Sequence, residues 1–172
     1  MAEVDVMTHE RRRLILEGGA VAGLVGGAVV SLLVAVASAL QGQDVWRGLK
    51  IAAYPFLGDR VLLAGLDVAP VALGLLAHLV VAAIWGVLFA AVAFGLSRWA
   101  TVGFGAVWGF VVLFVMVYLV LPAAGAARLE DAMVVRPVVL EHVTFGLAVG
   151  LAFLPFQRRE SHLHDRWLPR AV

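Results

Sequence analysis

Apolar residues in this chain run together instead of alternating with polar ones. No residue between Glu17 and Asp44 is charged, nor any between Asp67 and Arg98 or between Arg98 and Arg128, and a shorter uncharged run extends from His142 to Gln157. Unbroken apolar stretches of this length are what a lipid solvent selects, because a helix satisfies its backbone internally and its side chains need not face water. As a helix, the run from Leu14 to Leu40 would reach about 40 Å, against a hydrocarbon core of about 30 Å. The pattern therefore predicts four membrane helices, at 14–40, 70–96, 101–121 and 137–156. Pro70 and Pro137 mark two of the starts, since a proline in the first helical turn lacks only an N–H that would have had no partner.

The connection at 41–69 is too long for a turn and has its own rhythm. Val45, Trp46, Leu49, Ala52, Ala53 and Phe56 recur at helical spacing, with Asp44, Arg47 and Lys50 between them. This predicts an interfacial helix, a lid packed on the bundle in preference to a platform for a ligand or partner, with Trp46 and Tyr54 at headgroup level and Pro55 and Gly58 ending it. Segments 1–13 and 157–172 are left as an N-terminal segment and a basic tail outside the bilayer.

Laying the second span over the fourth brings His78 onto His142, Ala82 onto Gly146 and Gly86 onto Gly150. The first span lies over the third in the same way, Gly23-Leu24-Val25-Gly26-Gly27 over Gly105-Ala106-Val107-Trp108-Gly109. Two copies of a helix pair would then run parallel, related by an axis along the membrane normal. Rows of small residues support close helix packing: Gly19, Gly23, Gly27, Ser31, Ala35 and Ala39 on the first span, Gly105 and Gly109 on the third. Packing within the chain is preferred here to a dimer interface. The fold class expected is all-α, an integral membrane four-helix bundle of two parallel helix-pair repeats with an interfacial helix between helices one and two.

Composition agrees with the pattern: 63% of the 172 residues are hydrophobic and 15% are charged, where a soluble domain carries about 25%. A net charge of +1, with the basic residues near the ends of the apolar runs, sets nucleic acid aside as a partner. Without cysteine there is no disulfide, iron–sulfur cluster or thiolate metal site. The N-terminal side of the bilayer would hold Arg11, Arg12, Arg13, Arg98, Arg158, Arg159, Arg166 and Arg170, and the other side only Arg47, Lys50, Arg60, Arg128 and Arg136. The positive-inside bias then puts both termini in the cytoplasm of a bacterial inner membrane. The arginine cluster and Ala37-Ser38-Ala39 invite a signal-peptide or twin-arginine reading. The apolar run of roughly 25 residues exceeds the 7–15 of a signal core, so a retained, charge-anchored helix is expected.

Ionisable groups at membrane depth are costly and mark candidate sites. They are His78, His142 and Glu141, with Glu17 at one edge beside three arginines, where an ion pair or helix-dipole role is expected. His78 and His142 at comparable depth on parallel helices could ligate a b-type haem, with Gly86, Gly146 and Gly150 allowing close approach of the macrocycle. A pair hydrogen-bonding across helices explains the same spacing and is preferred, and a proton or metal site is the remaining alternative. Glu141 points about 100° away from His142 around a helix and is expected to meet Arg136 or the interface. In the tail, His162, His164 and Asp165 could hold a metal, though a solvated basic tail on anionic lipid is the reading taken. No nucleotide-binding loop, nucleophile elbow, zinc-protease helix or paired catalytic carboxylates occur, so no catalytic residue is assigned.

The pattern Ala77-His78 followed by Trp85-Gly86, then Glu141-His142 with Gly146 and Gly150, resembles small four-helix bacterial inner-membrane proteins of uncharacterised families. That resemblance implies a fold and a location and supplies no catalytic residues. The function expected is an accessory or structural subunit of an inner-membrane complex, with lipid and other membrane subunits as partners. The alternatives are a b-haem electron carrier or quinone-linked anchor using His78 and His142, and a small channel or transporter.

Overall fold

A computed structural model describes residues 2–126 and 135–167, with side chains over 9–126 and 137–157. Every regular element among them is helical. The long helices are α1 (Ala2–Leu40), α4 (Val68–Ala93), α5 (Arg98–Val115) and α7 (Val135–Trp167), joined by the short α2 (Val45–Ile51), α3 (Tyr54–Leu57) and α6 (Leu121–Ala123). Four segments are long and apolar enough to cross a membrane: His9–Leu40, Val68–Ala93, Arg98–Ala123 and Pro137–Gln157. The chain is thus an all-helical, multi-pass membrane bundle.

The ends differ from expectation for local reasons. Gly95, at a φ of 87°, turns the chain after α4, and the Ser97 hydroxyl caps α5 by accepting from the Ala100 N–H, so the α4–α5 turn closes earlier than the sequence implied. The third span widens into a π-helical turn at Met116–Val120, just before Pro122, which lacks the N–H to continue the ladder and crowds the carbonyl four residues back. α7 runs on through Pro155 to Trp167, so much of the expected tail is helical. The side chains of His162, His164 and Asp165 lie outside the described residues.

Packing defines the arrangement. α1 lies against α4 on one side and α7 on the other, and α5 lies closely on α7 and more loosely on α4. The four helices therefore stand at the corners of a square in the order α1, α4, α5, α7, each antiparallel to its neighbours, with α4 and α7 on a diagonal. Glycine makes the two tight pairs possible. A methyl on Gly23 would strike the Ala82 backbone and one on Gly86 would lie 2.5 Å from Gly23, while a methyl on Gly105 would strike Gly146 and one on Gly109 would strike His142. These contacts repeat in register: Gly23 on Ala82 in the first pair corresponds to Gly105 on Gly146 in the second, and Gly27 beside Leu79 to Gly109 beside Val143. The interior fills with rings from the second pair and α4. Phe89 contacts Phe104 (5.7 Å), Trp108 (6.0 Å) and Phe153 (6.1 Å), and Phe153 continues to Phe94 and Phe156.

The 41–67 connection folds over one end of the bundle as a lid. Asp44 caps α2 by accepting from the Trp46 N–H at 3.0 Å, and its other oxygen accepts from the Gly65 N–H at 3.0 Å. Lys50, expected on a polar face, is instead fully buried, its ammonium donating to Asp44 (3.4 Å) and to the carbonyls of Leu63 and Gly65. A buried ammonium persists only with such a full set of acceptors. Tyr54 is also buried, donating to Asp59 at 3.1 Å, and Pro55 starts α3 rather than ending α2, whereas Gly58 does end α3. Ala53, Tyr54 and Val61 pack with Ala126, Leu73 and Leu121, fixing the lid to α4 and the end of the third span.

Candidate functional site

The two intramembrane histidines belong to this frame. Phe89 lies three helical turns beyond His78 on the same face of α4, and Phe153 lies three turns beyond His142 on the same face of α7. Since Phe89 and Phe153 touch across the diagonal, the histidines face the same central axis about 16 Å nearer the lid. They are close enough to interact electrostatically, and both are half-buried.

Their hydrogen bonds fix their chemistry. His78 Nε2 lies 3.2 Å from the Gly27 carbonyl of α1, and His142 Nδ1 lies 2.8 Å from the Val138 carbonyl one turn back on its own helix. A carbonyl oxygen can only accept, so each neutral ring carries its proton on that nitrogen. The opposite nitrogens, Nδ1 of His78 and Nε2 of His142, keep their lone pairs and meet no partner among the described residues. Glu141, one position before His142, likewise has no partner among them; the Arg136 side chain expected near it lies outside the described residues. Glu17 pairs with Arg13 at 2.8 Å.

The three glycines expected to make room for a b-type haem do not do so. Gly86 is filled by the backbone of Gly19 and Gly23, Gly146 by Gly105 and Gly109, and Gly150 by Thr101 and Val102. The close approach at all three glycines is made by a neighbouring helix, and no space for a macrocycle remains there. No group of three or more His, Cys, Asp or Glu suited to a metal occurs among the described residues.

The structure adds two features that sequence reasoning missed. At the end opposite the lid, the fully buried Thr101 hydroxyl lies 3.0 Å from the Ser97 carbonyl and 2.9 Å from Gln157 Oε1, while Gln157 Nε2 donates to the Ala93 carbonyl at 2.8 Å. One amide thus joins α4, α5 and α7, and a threonine opening a span with a glutamine closing another was the available signal. The second is Trp108, which packs edge-on to Trp85 at 5.8 Å and whose Nε1 is, among the described residues, the enclosed side-chain polar atom without a partner. Neither the curated proteins nor the solved structures hold a match to this chain. Residues 15–164 match the family of unknown function designated DUF6789, and the chain belongs to that family.

Proposed function

We propose that the protein is a small accessory subunit of a bacterial inner-membrane complex, with both termini in the cytoplasm and the outer face of α5 seated against a helix of a larger partner. The observation carrying this reading is Gly103. Every other α-helical glycine among the described residues accommodates a neighbouring side chain or backbone, but Gly103 has nothing within 4 Å of where a methyl would lie. Glycine in a helix costs roughly 0.5–1 kcal/mol relative to alanine, which close approach normally offsets. At Gly103 the offsetting contact must come from outside the chain.

The surroundings suit a partner better than lipid alone. Trp99, Val107, Phe110, Phe114 and Tyr118 share the outward face with Gly103, and Phe114 and Tyr118 are in ring contact at 5.0 Å. On α4 the outward row is purely aliphatic, Leu76, Val80, Ile84, Leu88 and Val92, as lipid requires. Aromatic rings around a glycine notch are the features that protein interfaces concentrate.

The test extracts the protein from native membranes in polymer-bounded lipid discs and weighs the assembly, for the wild type and Gly103→Leu. The proposal expects the wild type to carry a larger subunit, and the variant to run as the bare 18.3 kDa chain, folded and no less stable than the wild-type chain on its own. Equal masses for the two proteins, or a mass made only of multiples of this chain, would overturn it.

A further inference from the structure

We propose that His78 and His142 form an intramembrane proton-binding site, holding one proton between Nδ1 of His78 and Nε2 of His142, directly or through one water, on the central axis of the bundle. Each imidazole has its N–H committed to a backbone carbonyl, at 3.2 Å and 2.8 Å, leaving one lone-pair nitrogen without a partner among the described residues. Two such bases, set at the same depth on the inward faces of α4 and α7, would make a receptor for a cation that both can coordinate. The same N–H-to-carbonyl anchoring prepares histidines for metals, but charge decides against that. A divalent ion would bring two charges to a site with two neutral ligands, whereas a proton brings one and needs only the two lone pairs.

Among the described residues, no titratable group other than Glu141 is placed to compete for the role. α1 carries no charge between Glu17 and Asp44, α4 none besides His78 between Asp67 and Arg98, and α5 none after Arg98. Tyr118 faces outward. In the lid, Lys50 is paired with Asp44, Arg60 with Asp67, and Asp59 accepts from Tyr54; Arg47 is exposed. Glu141 on α7 is the nearest carboxylate in sequence, but it points about 100° away from His142 around the helix.

The site is closed on one side. Phe89 and Phe153, both fully buried, plug the axis beyond the histidines together with Phe104 and Trp108. Passage toward the α4–α5 turn is thereby blocked, and the pair stores or senses a proton without conducting it across the bilayer.

The experiment follows the imidazole nitrogens of the full-length, 15N-histidine-labelled protein in lipid nanodiscs by NMR across pH. His78→Gln and His142→Asn are included because each keeps an N–H where the histidine donates and removes only the free basic nitrogen. At high pH, the proposal expects His78 protonated on Nε2 and His142 on Nδ1. It then expects the pair to take up protons in two steps separated more than about tenfold in affinity, with either variant collapsing the remaining histidine to one step. Independent single-step titration of each histidine in the wild type, unmoved by the partner's substitution, would overturn the proposal. So would stoichiometric binding of added Zn2+ lost in both variants, or proton flux through protein-loaded liposomes that either variant abolishes.

Discussion

Replacing Gly86 with alanine tests the packing argument most directly. The added methyl would lie 2.5 Å from both the Cα and the N of Gly23, where carbon contacts settle at about 3.5–4.0 Å. Both sides of the contact are backbone, so no side chain can rotate away and α1 and α4 must part by about 1 Å. Overpacking of this kind costs about 1–3 kcal/mol, and the better helix propensity of alanine returns about 0.5–1 kcal/mol, leaving a net loss of about 1–2 kcal/mol. Two controls grade the effect. At Gly150 the nearest atoms are Thr101 O at 3.1 Å and Val102 Cα at 3.3 Å, so alanine needs only a few tenths of an ångström and the net change is near zero. At Gly103 nothing is in reach, and alanine stabilises the isolated bundle by about 0.5–1 kcal/mol. Unfolding in mixed detergent micelles, titrated with SDS and followed by tryptophan fluorescence, reads all three. Since 1.4 kcal/mol is about a tenfold change in the unfolding constant, the order Gly86→Ala, Gly150→Ala, Gly103→Ala in rising stability is resolvable. Equal losses at Gly86 and Gly103, or a Gly86→Ala protein as stable as the wild type, would refute the claim that glycine is used here for helix approach.

Three further substitutions address other parts of the bundle. Thr101→Val leaves Gln157 Oε1 without its donor and should cost about 1–2 kcal/mol in the same unfolding assay, with most of that loss already present in a Gln157→Leu background. Trp108→Phe removes an enclosed N–H that has no acceptor among the described residues while keeping most of the ring packing, so it should change stability by under about 1 kcal/mol, where Phe153→Ala should cost about 3–5 kcal/mol. In the lid, burial pushes the Asp44 carboxyl up, but the N–H groups of Trp46 and Gly65 and the Lys50 ammonium outweigh it and hold the group below its ordinary 3.8. A carboxyl depressed on folding contributes stability that is full above its unfolded pKa and lost as pH falls through the folded one. Proteolytic clipping at 58–66 should therefore stay slow down to about pH 4 and accelerate only below it, whereas Lys50→Met should be clipped rapidly at neutral pH.

Much of the architecture was legible because lipid writes it in plain composition. The four spans, the histidine register and the small-residue rows all follow from local patterns, and the contacts of Gly23 with Ala82 and of Gly105 with Gly146 occur at the aligned positions. Carried three turns further, the same alignment places Phe89 on Phe153, the two rings that meet on the axis. What was illegible depends on distant chain. Lys50 reads as a polar residue on an interfacial helix until Asp44 and the carbonyls of Leu63 and Gly65 converge on it, and no local spacing encodes that return. Glycine was ambiguous in another way: a row of glycines leaves the same gap for a porphyrin or for a helix, and only the packing of Gly86, Gly146 and Gly150 against backbone decides between them.

The two halves match in register but not in size, and the difference reaches the histidines. Gly26 takes the side chains of Val149 and Phe145 and draws α1 onto α7, while the aligned position in the other half holds Trp108, which meets Trp85 and keeps α5 farther from α4. At the histidines the same inequality appears as two different anchors. His78 donates across helices to Gly27 on α1, whereas His142 donates to Val138 on its own helix. A bond between helices is lost when they separate, but a bond within one helix survives. His78→Ala should therefore destabilise the bundle more than His142→Ala, by about 0.6 kcal/mol, the average for a hydrogen bond between membrane helices. His78→Gln, which keeps the donor, should recover most of the difference. Equal losses for the two alanine variants, with no recovery by glutamine, would mean that the Gly27 bond does not hold α1 to α4 and that glycine packing alone does.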